Sequence, residues 1–565
     1  MFRVQHALAL TAALTMSTAR PQDRSQARSM VISQRGIVAT SQTLASQAGA
    51  QVLARGGNAV DAAIAANAVL TVVEPMMNGI GGDLFVLVRD SSGKLAGLNA
   101  SGFAPAKLSA GFLRNSGHYG MPGEGIHSVT VPGCVDGWER LHKRFGKLAW
   151  AELFQPAIYY ARNGFPVTEL IQGAWQGAFS KLNADANARR VYLPGGAAPK
   201  VGDMFRNPEL GAALELIAKG GAAAFYKGPI AKAVLATSKR LNGVLSAADL
   251  AEFESEWTEP IATTYRGWKV YELPPNGQGL AALSMLNLFE RFPMGGHDPF
   301  SADAFHLKIE AQKLAYADLQ RYVGDPRFAK VPVAELISKR YAEKRAAGIK
   351  TDQASCSPEP GQVLPASGDT IYMTAVDASG MIVSLIQSIY LSFGSGVAVD
   401  DYGFHLHNRG ALFTLEEGHP NELKPRKRPF HTIIPAYMEK DNLHIGFGIM
   451  GGLNQAQAHA QFVSYVVDHG MNIQGALEAP RFTKLNFSGC DVMIESRVPE
   501  PTIETLRSRG HFVQMQGDYS SWMGGGQAVM HDSRSKVNYG ASSPRKDGAA
   551  IPEPDPYFGS KPGAR

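Results

Sequence analysis

Apolar residues recur at helical spacing in three segments of the chain. In the first segment, Ser41 can cap a helix that ends at Gly56. The second, residues 59–73, is apolar nearly all round, which predicts a core helix with neighbours on every side. The third, residues 302–322, is the clearest amphipathic stretch and ends before Gly324.

Between these helices, runs of β-forming residues predict two hairpins. LFVLVRD at 84–90 leads through a Ser-Ser-Gly turn into KLAGLNA at 94–100. Residues 371–376 and 381–389 form the second pair of strands, joined by Asp-Ala-Ser-Gly. Residues 351–367 combine Pro, Ser and Gly with little apolar periodicity, which indicates a solvated linker ahead of a new unit.

The composition is that of an ordinary globular protein large enough to bury a sizeable core. The chain has 565 residues, of which 45% are hydrophobic and 19% are charged. Its net charge of +5 is spread along the sequence, which argues against a nucleic-acid partner. Three cysteines, Cys134, Cys356 and Cys490, are too few and too scattered for a disulfide framework or a cysteine-built metal site.

The first residues have the layout of a signal peptide. Arg3 precedes an apolar run at 7–16 and the small residues that follow it. The run is too short to span a bilayer. We therefore expect a signal peptide over residues 1–20 and a periplasmic or secreted protein. A frayed N-terminal extension would have a similar sequence, and a cytoplasmic protein is the alternative.

Several familiar reaction centres are absent from the sequence. It contains no GxSxG, HExxH or CxxC. The glycines of NGIGGD at 78–83 lead into a strand, which favours a tight turn over a phosphate loop. His405 and His407 share one strand face without a third ligand in sight, so pocket or surface histidines are favoured, as for His431 and His459. We therefore predict no metal and no cofactor.

A hydroxyl residue stands at the junction between the linker and the next strand. In Ser367-Gly-Asp-Thr370, cutting the Asp369–Thr370 bond would create an N-terminal nucleophile. By itself this is a weak signal, because most threonines at strand starts are merely β-formers.

Eight motifs, in order and at approximate spacing, resemble the γ-glutamyltranspeptidase family. They are RGGNAVDAAIAANAVLTVVEPMMNGIGGD (55–83), PPNGQG (274–279), EAQKLAYADLQRYVGDP (310–326), GDTIYMTAVD (368–377), FGSG (393–396), MGG (450–452), APRF (479–482) and YGASSPR (539–545). The resemblance covers residues 34 to 547, nearly the whole chain.

The resemblance implies an α+β fold, the four-layer αββα sandwich of the N-terminal-nucleophile hydrolases. It also implies an inactive precursor that cleaves itself between Asp369 and Thr370. The large subunit would then span 34–369 and the small subunit 370–547. Residues 548–565 are rich in Pro and Gly, which predicts a loose tail.

The implied chemistry is consistent with the residue types present. A free α-amine titrates near neutrality, so Thr370 can supply both the nucleophilic Oγ and its own general base. An ester on Thr370 would be resolved by water or by an acceptor amine. Ser388 stands where the family has a threonine that supports the nucleophile, and Gly451 and Gly452 match the oxyanion-hole pair. For maturation, Oγ would attack the carbonyl of Asp369.

The substrate-binding positions depart from the family pattern. Authentic members hold the glutamyl α-carboxylate with an arginine and a Ser-Ser pair, at positions that are here Ser101, His431 and Thr432. They hold the α-amine with an asparagine, a Glu or Gln, and an aspartate, at positions that are here Tyr390, Arg409 and Leu412. An arginine and a leucine repel an ammonium group or leave it unsatisfied.

These departures predict an acyl group that lacks an α-amine. Arg409 can offer a fork to a carboxylate, assisted by His431 and Arg428. A glutaryl amide or oxamate has this chemistry, and the segments at 407–413 and 419–436 resemble the cephalosporin-acylase and oxamate-amidohydrolase branch. Alternatively, both arginines pair only with surface acids.

Two other functions remain open from the sequence. One is a γ-glutamyltransferase or glutathione hydrolase that reads glutamate through altered residues. The other is a catalytically inactive relative that binds carboxylates. Whether the enzyme is an amidohydrolase or a γ-glutamyltransferase, we expect its partners to be a small-molecule amide and the two subunits of one precursor. We expect no nucleic-acid partner and no membrane span.

Overall fold

The computed structural model describes residues 26–357, 369–485 and 489–559. The predicted signal peptide lies outside these residues. Their strands are β1 Val31–Ser33, β2 Ile37–Thr40, β3 Asp83–Arg89, β4 Leu95–Ala100, β5 Phe165–Pro166, β6 Met204–Phe205, β7 Glu256–Thr258, β8 Ile261–Tyr265, β9 Trp268–Glu272, β10 Asp369–Val376, β11 Ile382–Tyr390, β12 Ala436–Lys440, β13 Leu443–Ile449, β14 Phe482–Thr483, β15 Asp491–Glu495, β16 Phe512–Gln516, β17 Gly526–Asp532, β18 Val537–Ser542 and β19 Ala549–Pro552.

Helices connect and cover these strands. They are α1 Thr43–Ala54, α2 Ala59–Val73, α3 Ala110–Asn115, α4 Cys134–Phe145, α5 Gln155–Asn163, α6 Glu169–Gly177, α7 Phe179–Ala184, α8 Ala186–Tyr192, α9 Pro208–Tyr226, α10 Pro229–Arg240, α11 Ala247–Ala251, α12 Gly279–Phe289, α13 Ala302–Tyr322, α14 Val333–Leu336, α15 Lys339–Ala346, α16 Asn454–Val467, α17 Ile473–Glu478, α18 Glu500–Ser508 and α19 Pro556–Gly559.

Two seven-stranded antiparallel sheets form the centre of the molecule. Sheet I has the order β1-β18-β17-β13-β12-β9-β8, and sheet II has the order β19-β2-β10-β11-β3-β4-β7. Phe85, Tyr372 and Ile386 of sheet II meet Tyr437 and Val529 of sheet I in the layer between them. This apolar layer holds the two sheets face to face.

Helices cover the outer face of each sheet. Residues of α1, α2, α4, α5 and α9 pack on sheet II in one large core, and residues of α12, α13, α16 and α17 pack on sheet I in another. Because each sheet is apolar on both faces, helix, sheet, sheet and helix form four layers. The αββα sandwich expected from the resemblance is confirmed.

The elements with strong local signals lie where the sequence predicts them. The core helix spans Ala59–Val73, is buried at every residue, and starts from a capping box formed by Asn58 and Asp61. The first helix differs slightly at its start, because Gln42 rather than Ser41 accepts the capping hydrogen bond from the Leu44 N–H. Both predicted hairpins are present, as β3–β4 and β10–β11.

The C-terminal segment differs from the loose tail expected from residue 548. Ala549–Pro552 form an edge strand that pairs with β2. Beyond it, the Glu553 carboxylate accepts a hydrogen bond of 3.0 Å from the Gly36 N–H. Backbone pairing fixes this segment although its Pro and Gly content is typical of a tail.

The cysteines also depart from expectation. Cys356 and Cys490 form a disulfide across a sequence separation of 134 residues, and Cys134 is buried and unpaired. Scattered spacing in the sequence hides the pair, because only the folded chain brings the two residues together. Across the described part of the chain, every helix is too short or too polar to serve as a bilayer span.

Candidate active site

Thr370 lies near the start of β10, opposite a β-bulge in β11. The strand runs unbroken through Asp369 and Thr370, but its register against β11 shifts by one residue between Asp369 and Ile371. The bulge belongs to β11, where Ser388 and Ile389 together face Thr370, and a bulge re-aims the side chains of its own strand. The Thr370 side chain is 1% exposed, so any reaction at its hydroxyl takes place inside the protein.

Two side chains contact the Thr370 hydroxyl. Its Oγ1 lies 3.3 Å from the Ser388 Oγ and 3.4 Å from the Gln455 Nε2. The Ser388 Oγ also accepts a hydrogen bond of 2.8 Å from the Tyr390 N–H. The structure thus brings together the predicted nucleophile and its predicted supporting hydroxyl.

The glycine pair lies between β13 and α16, beside this cluster. Gly451 and Gly452 have φ angles of +119° and +60°, a region that glycine adopts without steric cost. The Gly452 carbonyl accepts hydrogen bonds from the Gln278 Nε2 at 2.8 Å and the Gln455 N–H at 3.3 Å. Among the residues that the structure describes, none accepts a hydrogen bond from the Gly451 or Gly452 N–H. The role of these two N–H groups as oxyanion-hole donors stays a prediction.

A buried acid–histidine pair anchors the strand end that precedes these glycines. The His459 Nε2 accepts the Ile449 N–H at 3.0 Å, and its Nδ1 lies 2.8 Å from the Glu272 Oε1. Burial raises the pKa of Glu272 well above its ordinary value and lowers that of His459 to about 3. His459 is thus a buried structural residue. Glu272, at the end of β9, was not predicted from the sequence.

Arg409 is fully buried next to Tyr390 and Thr432. Its Nη1 donates to the Thr432 Oγ1 at 2.8 Å, and its guanidinium carbon lies 4.7 Å from the centre of the Tyr390 ring. Its Nε is 3.9 Å from the Asp83 Oδ2, beyond hydrogen-bond distance. Within the described residues, neither Nε nor Nη2 has a hydrogen-bond partner. Burial lowers the pKa of Arg409 to about 10, opposed by Asp83, so the group stays charged at neutral pH.

Asp83 is the counter-charge of this site. Its Oδ2 lies 2.8 Å from the His431 Nε2 and 3.4 Å from the His407 Nδ1, and its Oδ1 accepts the Gly102 N–H. Burial raises the pKa of the Asp83 carboxyl, but His407 and His431 outweigh this effect and hold the pKa well below its ordinary value. Asp83 closes the first family motif, so the sequence carried a signal for it.

His431 is buried and engaged at both ring nitrogens. Burial, reinforced by the positive charge of Arg409, lowers the pKa of His431 to about 3. The neutral ring donates from Nε2 to Asp83, and its Nδ1 accepts the Ile433 N–H at 3.4 Å. Direct contact of His431 with substrate stays a prediction; in this structure the ring orients Asp83.

The remaining residues that the sequence predicts for the site are Ser101, Arg428 and Leu412. The Ser101 Oγ donates to the Asn99 Oδ1 at 2.7 Å, and the Ser101 carbonyl accepts from the Arg428 Nε at 2.8 Å. Arg428 also pairs with the half-exposed Glu256 at 2.8 Å, so the surface-acid interpretation holds for this arginine. Leu412 is buried in the short helical turn that begins at Arg409.

His405 and His407 do not share a site. His405 lies between the rings of Tyr192 and Phe393, and burial lowers its pKa to about 3. His407 instead contacts Asp83 and the Thr130 carbonyl, 2.8 Å from its Nε2. The sequence-based preference against a metal on these two residues is consistent with this geometry.

Within the part of the chain that the structure describes, His306, Glu310 and His511 form a further group of possible metal ligands. The His306 Nδ1 and His511 Nε2 are 2.8 Å apart, a hydrogen-bond distance, whereas nitrogen ligands on one tetrahedral zinc stand roughly 3.3 Å apart. The Lys313 ammonium donates a hydrogen bond of 2.7 Å to the Glu310 Oε1. This geometry is that of a closed polar network.

Comparison with known proteins places the chain among relatives. The sequence model of the protein family described as Gamma-glutamyltranspeptidase matches residues 45–553. The glutathione hydrolase-like YwrD proenzyme of Bacillus subtilis is 36% identical over 527 residues, which cover 92% of this chain and 99% of that protein. The oxamate amidohydrolase proenzyme of Klebsiella pneumoniae is 33% identical over 529 residues, covering 92% and 98%. The crystal structure of cephalosporin acylase from Bacillus halodurans has a TM-score of 0.88 and 39% identity, covering 96% and 100%.

Two antiparallel sheets between helix layers, matched over nearly the whole chain by a solved acylase, define the fold of an N-terminal-nucleophile hydrolase. The chain belongs to the γ-glutamyltranspeptidase family and is an enzyme of that family. Its similarity to proteins named as an oxamate amidohydrolase and a cephalosporin acylase matches the branch predicted from the sequence motifs.

Proposed function

We propose that this chain is a self-cleaving threonine-nucleophile amidohydrolase for amides of small dicarboxylic acids that lack an α-amino group. The observation that carries the proposal is the buried Arg409, whose Nε and Nη2 have no hydrogen-bond partner among the described residues. A buried guanidinium with free donors fits a carboxylate in fork geometry. The name of the oxamate amidohydrolase relative agrees with this substrate class.

Maturation would use the Thr370 hydroxyl against the preceding peptide bond. The Oγ attacks the Asp369 carbonyl carbon and gives up its proton, the C–N bond breaks, and the Thr370 nitrogen takes a proton to become an amine. Water then hydrolyses the resulting ester, which leaves a new carboxylate on Asp369 and restores the hydroxyl. The products are a large and a small subunit, consistent with the proenzyme names of both curated relatives.

Turnover would repeat this chemistry on an external amide. The free α-amine of Thr370 accepts the Oγ proton as Oγ attacks the substrate carbonyl. The N–H groups of Gly451 and Gly452 stabilise the developing oxyanion. The leaving amine takes the proton, and water resolves the ester on Thr370. Ser388 supports the nucleophile from 3.3 Å.

Substrate selection would depend on the neighbours of Arg409. Thr432 fixes one end of the guanidinium and Tyr390 covers its face, which limits the side chain to one orientation. Leu412 presents no anion to a substrate ammonium group. A γ-glutamyl donor would therefore bury its α-amine without a partner, at a cost of a few kcal/mol.

A second candidate is γ-glutamyl hydrolysis, favoured by the relative named as glutathione hydrolase-like. Glutaryl and γ-glutamyl p-nitroanilides differ only in the α-amine, and therefore separate the two functions. We expect kcat/KM to be roughly 100-fold higher for the glutaryl donor, which corresponds to about 2.7 kcal/mol. Hydrolysis of oxamate, measured by the release of ammonia, tests a substrate with a shorter acyl group. Preference for the γ-glutamyl donor would support the second candidate instead.

We also propose that the protein is exported. The signal-like start supports this location, and the Cys356–Cys490 disulfide adds to it, because disulfides persist mainly in oxidising compartments. Fractionation of cells that express the full chain tests this location.

A further inference from the structure

Gln455 is the least expected contact of the nucleophile. It lies in the first turn of α16, three residues after Gly452, and is fully buried. Its Oε1 accepts the Ile434 N–H at 3.1 Å, while its Nε2 lies 3.4 Å from the Thr370 Oγ1. Because a backbone donor occupies the amide oxygen, the NH2 end is the one that faces the nucleophile.

This orientation fixes the direction of the hydrogen bonds at Thr370. An amide NH2 can only donate, so the Thr370 Oγ1 accepts from Gln455 and directs its own proton toward the Ser388 Oγ, 3.3 Å away. A donor at Oγ lowers its affinity for a proton and stabilises negative charge there. Such bonds are often long before substrate binds and shorten during reaction.

We propose that Gln455 is a catalytic residue that donates a hydrogen bond to the Thr370 Oγ in self-cleavage and in turnover. The inference rests on the proposed role of Thr370 as nucleophile. Gln455 and the oxyanion donors Gly451 and Gly452 belong to one short segment at the start of α16. This segment therefore sets the position of the nucleophile and of the developing charge together.

Two variants test this role. Gln455→Met keeps the side-chain length and removes the donor, and Gln455→Glu keeps an acceptor for the Ile434 N–H but places a carboxylate at the nucleophile. We expect self-cleavage and kcat to slow 10- to 100-fold in both, with KM within threefold of wild type. In Gln455→Glu the acid limb of the kcat–pH profile should also move to higher pH, because a nearby anion favours the protonated α-amine.

Gln461→Met is the matched control. Gln461 lies further along the same helix and is equally buried, but its amide bonds to Gln457 and Phe482. We expect this variant to keep wild-type kcat and cleavage. Wild-type rates in Gln455→Met would overturn the role of Gln455. A wild-type protein that neither cleaves itself nor hydrolyses any donor would instead refute the proposed function.

A second, independent observation concerns the disulfide. The proposed cleavage bond between Asp369 and Thr370 lies between Cys356 and Cys490 in the sequence, so the two cysteines belong to different products. Two hydrogen bonds hold the backbone at Cys356. The Ser355 N–H donates to the Glu310 Oε2 at 3.1 Å, and the Gly489 N–H donates to the Cys356 carbonyl at 2.8 Å.

We infer that this disulfide joins the large and small subunits covalently after cleavage, an inference that also rests on the proposed function. Denaturing electrophoresis with and without reductant tests it, with Cys490→Ser as the control. We expect one species without reductant, two with reductant, and two in either condition for Cys490→Ser. Two wild-type species without reductant would overturn the link while leaving cleavage intact. One species in both conditions would refute self-cleavage itself.

Discussion

Thr370→Ala is expected to remain a single uncut chain without amidase activity. The substitution removes the only atom that the proposed reaction uses as nucleophile, both against Asp369 and against substrate. Loss of a covalent nucleophile costs roughly 10⁴-fold or more in rate. Mass analysis of the purified variant and a p-nitroanilide assay measure the two effects.

Thr370→Ser is the conservative control for this prediction. It retains a hydroxyl at position 370, so we expect slower but measurable cleavage and turnover. A cut Thr370→Ala chain, or one that keeps wild-type activity, would contradict the assignment. Because Thr370 is buried beside Ser388 and Gln455, thermal unfolding of each variant should accompany the assay.

Arg409→Met is expected to abolish the preference for acyl groups that carry a carboxylate. Two charge-assisted hydrogen bonds to a carboxylate are together worth about 3 kcal/mol or more. We therefore expect kcat/KM for glutaryl p-nitroanilide to fall at least roughly 100-fold. A valeryl p-nitroanilide has the same chain length without the carboxylate, and its hydrolysis should change little.

Arg409→Lys distinguishes charge from fork geometry at the same position. The lysine keeps a positive charge near the Asp83 carboxylate, which Arg409→Met removes. A lysine cannot, however, form a bidentate contact with a substrate carboxylate. We expect partial recovery of glutaryl hydrolysis relative to Arg409→Met. An equal loss of activity toward glutaryl and valeryl donors in both variants would contradict substrate binding by Arg409 and indicate a purely structural role.

The individual helices and hairpins follow from the sequence because their signals are local, whereas the layered fold and the chemical family follow from the resemblance that the ordered motifs carry. Asn58 and Asp61 form a capping box that fixes the start of the core helix, and the helix is as buried as its all-round apolar pattern requires. The strands on either side of Gly380 pair in antiparallel fashion, as the hairpin pattern predicts. The ordered motifs then give the position of Thr370, and the structure places Ser388 beside it.

The supporting network could not be predicted because it depends on contacts between distant elements. Glu272 on strand β9 meets His459 on helix α16 across 187 residues of sequence, and both have ordinary local contexts. Gln455 follows the glycine pair closely, yet only the folded structure shows which end of its amide faces Thr370. The Cys356–Cys490 pair is likewise joined only by the tertiary fold.

The central claim is that Thr370 becomes the N-terminus of a small subunit and acts as the nucleophile. The most direct measurement is denaturing mass analysis of the reduced wild-type protein, with N-terminal sequencing of the smaller chain. The account predicts two chains, the smaller of which begins Thr-Ile-Tyr-Met. A single intact chain, or a smaller chain that begins at any other residue, would contradict it.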